Sequence, residues 1–294
     1  MSVASIPSPM MFGTSDRPPP GRGFEWVQDR GGPALVCRPL ASYASHFFTT
    51  RSWRLGVRVP GGDDEAWAEV AAGLEVAPGQ LIRVRQVHGH AVFVAGDGAE
   101  LSARRDADII VSPRSDLGLA VQVADCVPLL IADRRTGAVA AAHAGWRGIA
   151  SGVPSTVVDA MAREFGSRPA DLLVALGPSV GACCYEVGID LRRQFEASGF
   201  RPDQMARWFF ETPQVRAGNP TMPGVQSGGR RDHWFFDGWA ATEEMLIDAG
   251  VPAGNIFSAA LCTASHPHFL CSFRRDGPPA GRLAGAIRRV RPRP

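Results

Sequence analysis

The sequence predicts an α+β fold. Strand-like apolar segments crowd the stretch from Leu81 to Ala142, and amphipathic helical patterns flank it. The two kinds of element do not alternate in the strict order of a doubly wound parallel sheet. Residues 1–22, with Pro18-Pro19-Pro20 and scattered Gly and Ser, read as a flexible leader, and order is expected from near Phe24. Asp63-Asp64-Glu65 opens a helix running to about Leu74, its acidic residues at the positive end of the helix dipole. Leu81–Val94, Ala107–Val111 and Leu117–Ala142 read as strand-rich segments. Ser155–Phe165 reads as a helix because Val157, Val158, Met161 and Phe165 recur at helical spacing. Leu172–Leu176 is a short buried strand ended by Gly177-Pro178, and a helix follows over Ile189–Ala197. Thr212–Arg231, rich in Gly, Pro and Arg and without a period, is expected to be a long loop or mobile insertion. Asp237–Ala249 reads as a helix with Asp237 as its capping residue, and Ile256–Leu261 as a strand. The tail after Val290 is expected to be loose. Residues 23–290 thus form one expected domain, between the leader and residues 291–294.

A chain of 294 residues can bury a substantial core, and 45% hydrophobic with 20% charged residues is ordinary for a globular protein. The formal charge of +2 argues against nucleic acid or an anionic membrane as partner. All 31 strongly basic residues are Arg, which excludes a Lys nucleophile or Schiff base. The six cysteines sit in a chain far longer than disulfide-dependent secreted scaffolds. Residues 1–12 lack a signal-like apolar stretch, and no apolar run approaches the ~20 residues that span a bilayer. Reduced thiols in a cytoplasmic protein are the expectation.

Three islands carry the chemistry: Gln86-Val87-His88-Gly89, Ala124-Asp125-Cys126, and Ala142-His143-Ala144-Gly145-Trp146-Arg147-Gly148. The last two end apolar runs, where a rigid scaffold presents side chains to a pocket. His88, Cys126 and His143 supply two imidazoles and a thiolate. Zinc favours such a set, with a fourth position left open when the site is catalytic. No short metal-ligand motif links the three, so spacing alone does not decide between a site and separate structural residues. His90, His233, His266 and His268 read as structural.

These islands, with Gly177-Pro178-Ser179-Val180-Gly181-Ala182-Cys183-Cys184-Tyr185-Glu186-Val187-Gly188 and Ser272-Phe273-Arg274-Arg275-Asp276-Gly277, resemble the YfiH-type laccase-domain family over about His46 to Ile287. Its members have been labelled multicopper polyphenol oxidases and later purine nucleoside phosphorylases with adenosine deaminase activity. The resemblance implies a single α+β domain of mixed sheets with outer helices. It also implies zinc, with copper as the alternative, bound by His88, Cys126 and His143 as the catalytic centre. The implied ligands are a nucleoside and phosphate. Arg forks suit phosphate oxygens; Arg51 and Arg147 are the preferred pair, with Arg274 and Arg275 beside them. Tyr185 is placed to contact the ligand. Phe47 and Phe48 read equally as an apolar wall for a base or as core, Asp125 as a proton shuttle or a structural acid. Trp146 is expected to pack behind His143, Cys183 and Cys184 to be free thiols, and Cys262 and Cys271 to be buried apolar residues.

The chain departs from the family at Phe47–Gly56, which is short and lacks an expected Asn, and near Ala71-Ala72, where an Asn-Arg pair is absent. These departures leave the metal ligands intact and alter the substrate lip. Three other functions compete. A multicopper oxidase needs more histidine than the seven present, and a His2Cys set is available only once. A cysteine hydrolase acting on cell-wall precursors would use Cys126 as nucleophile and His88 or His143 as base. A non-enzymatic binding role would require a large exposed apolar patch.

Overall fold

The computed structural model describes residues 17–57, 62–99, 104–226 and 229–290. The strands are β1 (Phe24–Asp29), β2 (Gly32–Cys37), β3 (Ala44–Thr49), β4 (Leu81–Arg83), β5 (Val92–Val94), β6 (Ile109–Ser112), β7 (Gly118–Val123), β8 (Val127–Asp133), β9 (Val139–Ala144), β10 (Leu172–Leu176), β11 (Glu186–Gly188), β12 (Phe209–Phe210), β13 (His233–Phe236), β14 (Ile256–Ser258) and β15 (Leu283–Arg289). The helices are α1 (Arg38–Ala41), α2 (Gly62–Gly73), α3 (Trp146–Ala150), α4 (Val153–Phe165), α5 (Ile189–Ala197), α6 (Pro202–Trp208), α7 (Gly238–Asp248) and α8 (Phe273–Asp276).

Two six-stranded sheets form the body, in the orders β1-β2-β3-β15-β7-β4 and β14-β10-β8-β9-β6-β5, and β11-β13-β12 form a small third sheet. Both large sheets are mixed. β4 joins β7, β5 joins β6 and β14 joins β10 in parallel, while the remaining pairs are antiparallel. This is the α+β architecture of mixed sheets and outer helices that the sequence predicts.

Period-two alternation sorts the side chains into separate cores. Along β7, Leu119 and Val121 enter the core between the large sheets while Ala120 faces the layer under α2. Along β9, Val139 and Ala141 point between the sheets while Ala140, Ala142 and Ala144 face α4 and α7. The result is four layers: α2, the first sheet, the second sheet, and α4 with α7. Because both faces of the central strands are covered, β8 and β9 are buried at every residue, which explains their continuous apolar runs. Asp237 caps α7 by accepting from the Ala240 N–H at 3.0 Å, and Gly166 ends α4 in the left-handed region with φ 65°.

Several expectations need correction. The expected leader lies outside the described residues up to 16, and its remaining part is pinned: Trp26 donates to the Pro18 carbonyl at 2.8 Å, and the Gly21 N–H to the Ala259 carbonyl at 2.8 Å. The tail at 291–294 also lies outside the described residues. Leu81–Val94 is two short strands, β4 and β5, around a loop, and the strand expected over Ile256–Leu261 ends at Ser258. The 212–231 segment, apart from residues 227–228, is a loop without helix or strand. It is anchored, however, by the buried Asn219, which donates to the Ala260 carbonyl at 2.7 Å and accepts from the Cys262 N–H at 2.7 Å. Phe47 and Phe48 are both core residues, 3% and 1% exposed, rather than a pocket wall. They are neighbours on β3 and so enter different layers, Phe47 stacking on Trp53 at 5.1 Å.

The Phe48 ring fills a slot between two glycines. A Cβ on Gly177 would fall 2.2 Å from that ring, and one on Gly285 3.1 Å from it. Gly177→Ala is therefore expected to cost about 1–3 kcal/mol through overpacking. A fall in the urea midpoint at an unchanged slope measures it.

Candidate metal centre and its cavity

The antiparallel pairing of β8 with β9 sets Pro128 opposite His143 and Val127 opposite Ala144. Cys126, just before β8, and His143, near the end of β9, therefore emerge at the same sheet edge. Between them Gly145 leaves the space open. A Cβ there would lie 2.9 Å from the Cys126 Sγ and 3.1 Å from the His88 Cδ2. His88 arrives from the loop between β4 and β5. Its ring meets that of His143 edge-on at 4.8 Å between centroids. Donor atoms of His88, Cys126 and His143 all lie within 4.8 Å of one another. The first is exposed, the second half-buried and the third buried.

A residue that the sequence reading passed over holds this arrangement together. Asp108, fully buried before β6, accepts from the N–H groups of Val87 at 3.2 Å, His88 at 3.0 Å and Gly89 at 2.7 Å. It also accepts from His143 Nδ1 at 2.8 Å. Burial works against its charge, but the His143 hydrogen bond and the backbone donors hold its carboxyl below the usual range. The Nδ1 bond fixes the His143 ring and leaves Nε2 for the cleft, the carboxylate–histidine support common behind metal ligands. Its one sequence signal was an acid set immediately before the apolar run Ile109–Val111. Gln86 adds a second clamp, its side-chain amide both donating to and accepting from the Gln122 backbone at 2.8 Å.

Burial would raise the Cys126 thiol, yet the charge and hydrogen bonds of His143 and His88 outweigh it and draw the pKa down to about 6. Burial likewise opposes the His143 charge, and Cys126 with Asp108 lifts that ring to about 9. The metal-free centre is thus a thiolate–imidazolium pair. Its donor set, its Gly145 gap and its supporting acid fit a borderline-soft cation with three protein ligands and an open position.

The centre opens into a cavity of about 500 Å³, lined also by Trp146, Arg147, Tyr185, Phe273, Arg274 and Arg282. Three of the expected substrate residues, Arg147, Tyr185 and Arg274, converge here. The Arg147 guanidinium lies 4.4 Å from the Trp146 ring centre, and that of Arg274 5.0 Å from the Tyr185 ring. Trp146 thus lines the cavity with its ring against Arg147. Burial, then the nearby Cys126 charge, pushes the Tyr185 hydroxyl upward, so it stays protonated.

Arg51 does not line this cavity. Its guanidinium donates to the Pro267 carbonyl, and its backbone N–H to that of Phe269 at 2.9 Å. Arg275 is a clasp, donating to the Thr263 and Leu270 carbonyls at 2.8 and 3.0 Å. Asp125 has φ 89°, and its carboxylate accepts from Thr263 Oγ1 and the Arg274 N–H, both at 2.5 Å. It binds loops together while also lining the cavity. Arg282 and Phe273 are lining residues to which sequence reasoning gave no role; Phe273 lies inside the Ser272–Gly277 motif and Arg282 just beyond it.

Residues 63–290 match the multi-copper polyphenol oxidoreductase laccase family, and the chain belongs to it. A purine nucleoside phosphorylase of Bacteroides thetaiotaomicron is 29% identical over 271 residues, covering 84% of this chain and 93% of its own. Adenosine deaminase RL5 from an unknown prokaryotic organism is 30% identical over 240 residues, covering 78% and 84%. The crystal structure of the hypothetical protein YfiH of Bacillus licheniformis shares the fold, with a TM-score of 0.75 at 24% identity over 90% of this chain and 98% of that one. Among the described residues no helix is long and apolar enough to cross a membrane.

Two outcomes follow from the geometry. Asp108→Asn is expected to weaken zinc binding roughly 10–100-fold, measured by competition with a chromophoric chelator. In metal-free protein the depressed pKa keeps Cys126 as thiolate down to about pH 6. Its alkylation by iodoacetamide, followed by mass spectrometry, should reach half its maximal rate near that pH rather than near the ordinary thiol value.

Proposed function

We propose that this chain is a zinc-dependent purine nucleoside enzyme, cleaving adenosine- and inosine-type nucleosides with phosphate and deaminating adenosine. One observation carries the reading: a His-Cys-His centre forms the floor of a nucleoside-sized cavity whose rim holds guanidinium groups over aromatic rings. The names of the relatives, purine nucleoside phosphorylase and adenosine deaminase, support it.

His88, Cys126 and His143 would hold the ion, which supplies Lewis acidity at its open position when bound. Two borderline nitrogens and one thiolate suit zinc, and this set is too small for a multicopper cluster. The remaining work belongs to the chain. In phosphorolysis a phosphate oxygen attacks the anomeric carbon, and the electron pair of the glycosidic bond leaves with the purine. Arg147 and Arg274 are suited to hold the phosphate, because each fork is set on an aromatic face before substrate arrives. Tyr185 can donate its hydroxyl proton in a hydrogen bond to sugar or base, and the Trp146 and Phe273 rings offer apolar faces to the base. In deamination water adds at purine C6 and ammonia departs. The buried Asp108 keeps the His143 ring oriented throughout.

The test incubates purified protein with adenosine, inosine and phosphate and follows ribose-1-phosphate and ammonia. Cys126→Ala should lose at least ~10³-fold in both activities, while Arg147→Ala should raise the KM for phosphate more than that for nucleoside. Full turnover by the metal-free protein, blocked by alkylation of Cys126, would instead establish a cysteine nucleophile.

A further inference from the structure

A second cluster of sulfur lies behind the cavity. The Sγ atoms of Cys183, Cys184 and Cys262 all lie within 4.8 Å of one another, and all three residues are buried. Adjacent residues rarely direct their side chains to one point. Here the Cys184 and Tyr185 N–H groups both donate to the Gly181 carbonyl, at 2.9 and 3.0 Å, and the resulting turn sets both thiols on one side. Cys262 comes from a distant segment, paired through Ser179.

The cluster has a lid. Met222 N–H donates to the Cys184 Sγ at 3.2 Å, and Asn219 fixes the same loop to Cys262. Ser265 Oγ lies 3.5 Å from the sulfurs of both Cys183 and Cys184, and the Gly181 N–H points at the Cys262 Sγ from 3.3 Å. Two N–H groups are therefore aimed at sulfur, while the Ser265 hydroxyl donates to the Pro220 carbonyl at 2.5 Å and turns its lone pairs to the thiols. No disulfide joins the three.

We propose that Cys183, Cys184 and Cys262 form a second metal site, for a thiophilic d10 cation, separate from the His-Cys-His centre. An ion bonded to three sulfurs at ~2.3 Å spaces them by ~4 Å, which the observed cluster satisfies. Three soft donors without an imidazole select ions such as Zn(II), Cd(II) or Cu(I) over harder cations. Loading displaces thiol protons to solvent, and no redox step is involved. The site is placed to brace the cavity from behind. Tyr185 follows Cys184 directly, and Thr263, next to Cys262, donates to Asp125, next to Cys126. The 212–226 loop, which the nucleoside reading leaves without a role, becomes the cover of this site.

The experiment titrates metal-free, reduced protein anaerobically with Cd(II), counting equivalents by thiolate-to-metal absorbance and reading ligand type by cadmium NMR. Wild type is expected to take two equivalents. Cys126→Ala, which leaves the cluster whole, should take one, with a resonance of a three-sulfur site. Cys183→Ala/Cys262→Ala should also take one, with the resonance of a one-sulfur, two-nitrogen site. Parallel titrations with Zn(II), and with Cu(I) against a copper chelator, identify which ion is held more tightly. A folded Cys126→Ala protein, by circular dichroism, that binds no Cd(II) overturns the proposal. Because that arm carries an intact cluster, a failure of the cluster variants to fold does not weaken it. Nucleoside turnover is read separately, so its absence bears only on the function proposed above.

Discussion

The Asp108 carboxylate is the interaction on which the rest of the centre depends. A buried charge is costly unless every lone pair is used. Here three consecutive backbone N–H groups and one imidazole converge on it. Hydrogen bonds to a charged group contribute roughly 1.5–3 kcal/mol each. That exceeds the cost of roughly 1–2 kcal/mol for holding His88 in the left-handed region at φ 61°. One acid therefore sets two imidazoles at once. It folds the loop that carries His88, and it orients the ring of His143, to which it is also joined by the backbone bond from His143 N–H to the Asp108 carbonyl at 2.8 Å.

The fold supplies what that acid cannot, a fixed separation between sulfur and nitrogen. Cys126 and His143 extend from strands whose register is locked by apolar layers on both faces, so neither can slide without moving a core. Gly145 is the matching concession, since any side chain would fill the gap where the donors meet. The rim is built differently. Arg147 belongs to the short helix α3, while Arg274 and Phe273 belong to the short helix α8, at the sheet edge. The base of the cavity is thus built on strand ends and the loop pinned by Asp108, and its rim on two short helices.

Much of this was legible in the sequence, for physical reasons. Cys126 and His143, at the ends of doubly covered strands, stand out against small apolar runs, whereas His88, on a loop, was joined to them only through the family resemblance. Asp108 did not stand out, because an acid before a strand looks the same whether it ends a turn or anchors a loop far away in sequence. Phe47 and Phe48 were ambiguous for a related reason. On a strand covered on both faces, alternation no longer separates inside from outside, so adjacent aromatics can both be core. β15 escaped notice because Leu283–Arg289 is mostly Ala, Gly and Arg, residues with weak strand preference that pack here through the neighbours they meet. Cys262 read as a small buried apolar residue because nothing local links it to a pair of thiols nearly eighty positions earlier.

The absence of lysine has its consequence at the rim. Lysine would place a mobile, strongly hydrated point charge over Trp146 and Tyr185, whereas arginine lays a planar group along each ring and keeps its forked donors free. The guanidinium groups thus line the rim, and the pair whose charge changes with pH, Cys126 and His143, lies at the floor. Rim and floor are in this way built from different chemistry, guanidinium groups against aromatic rings at one and a thiol between imidazoles at the other.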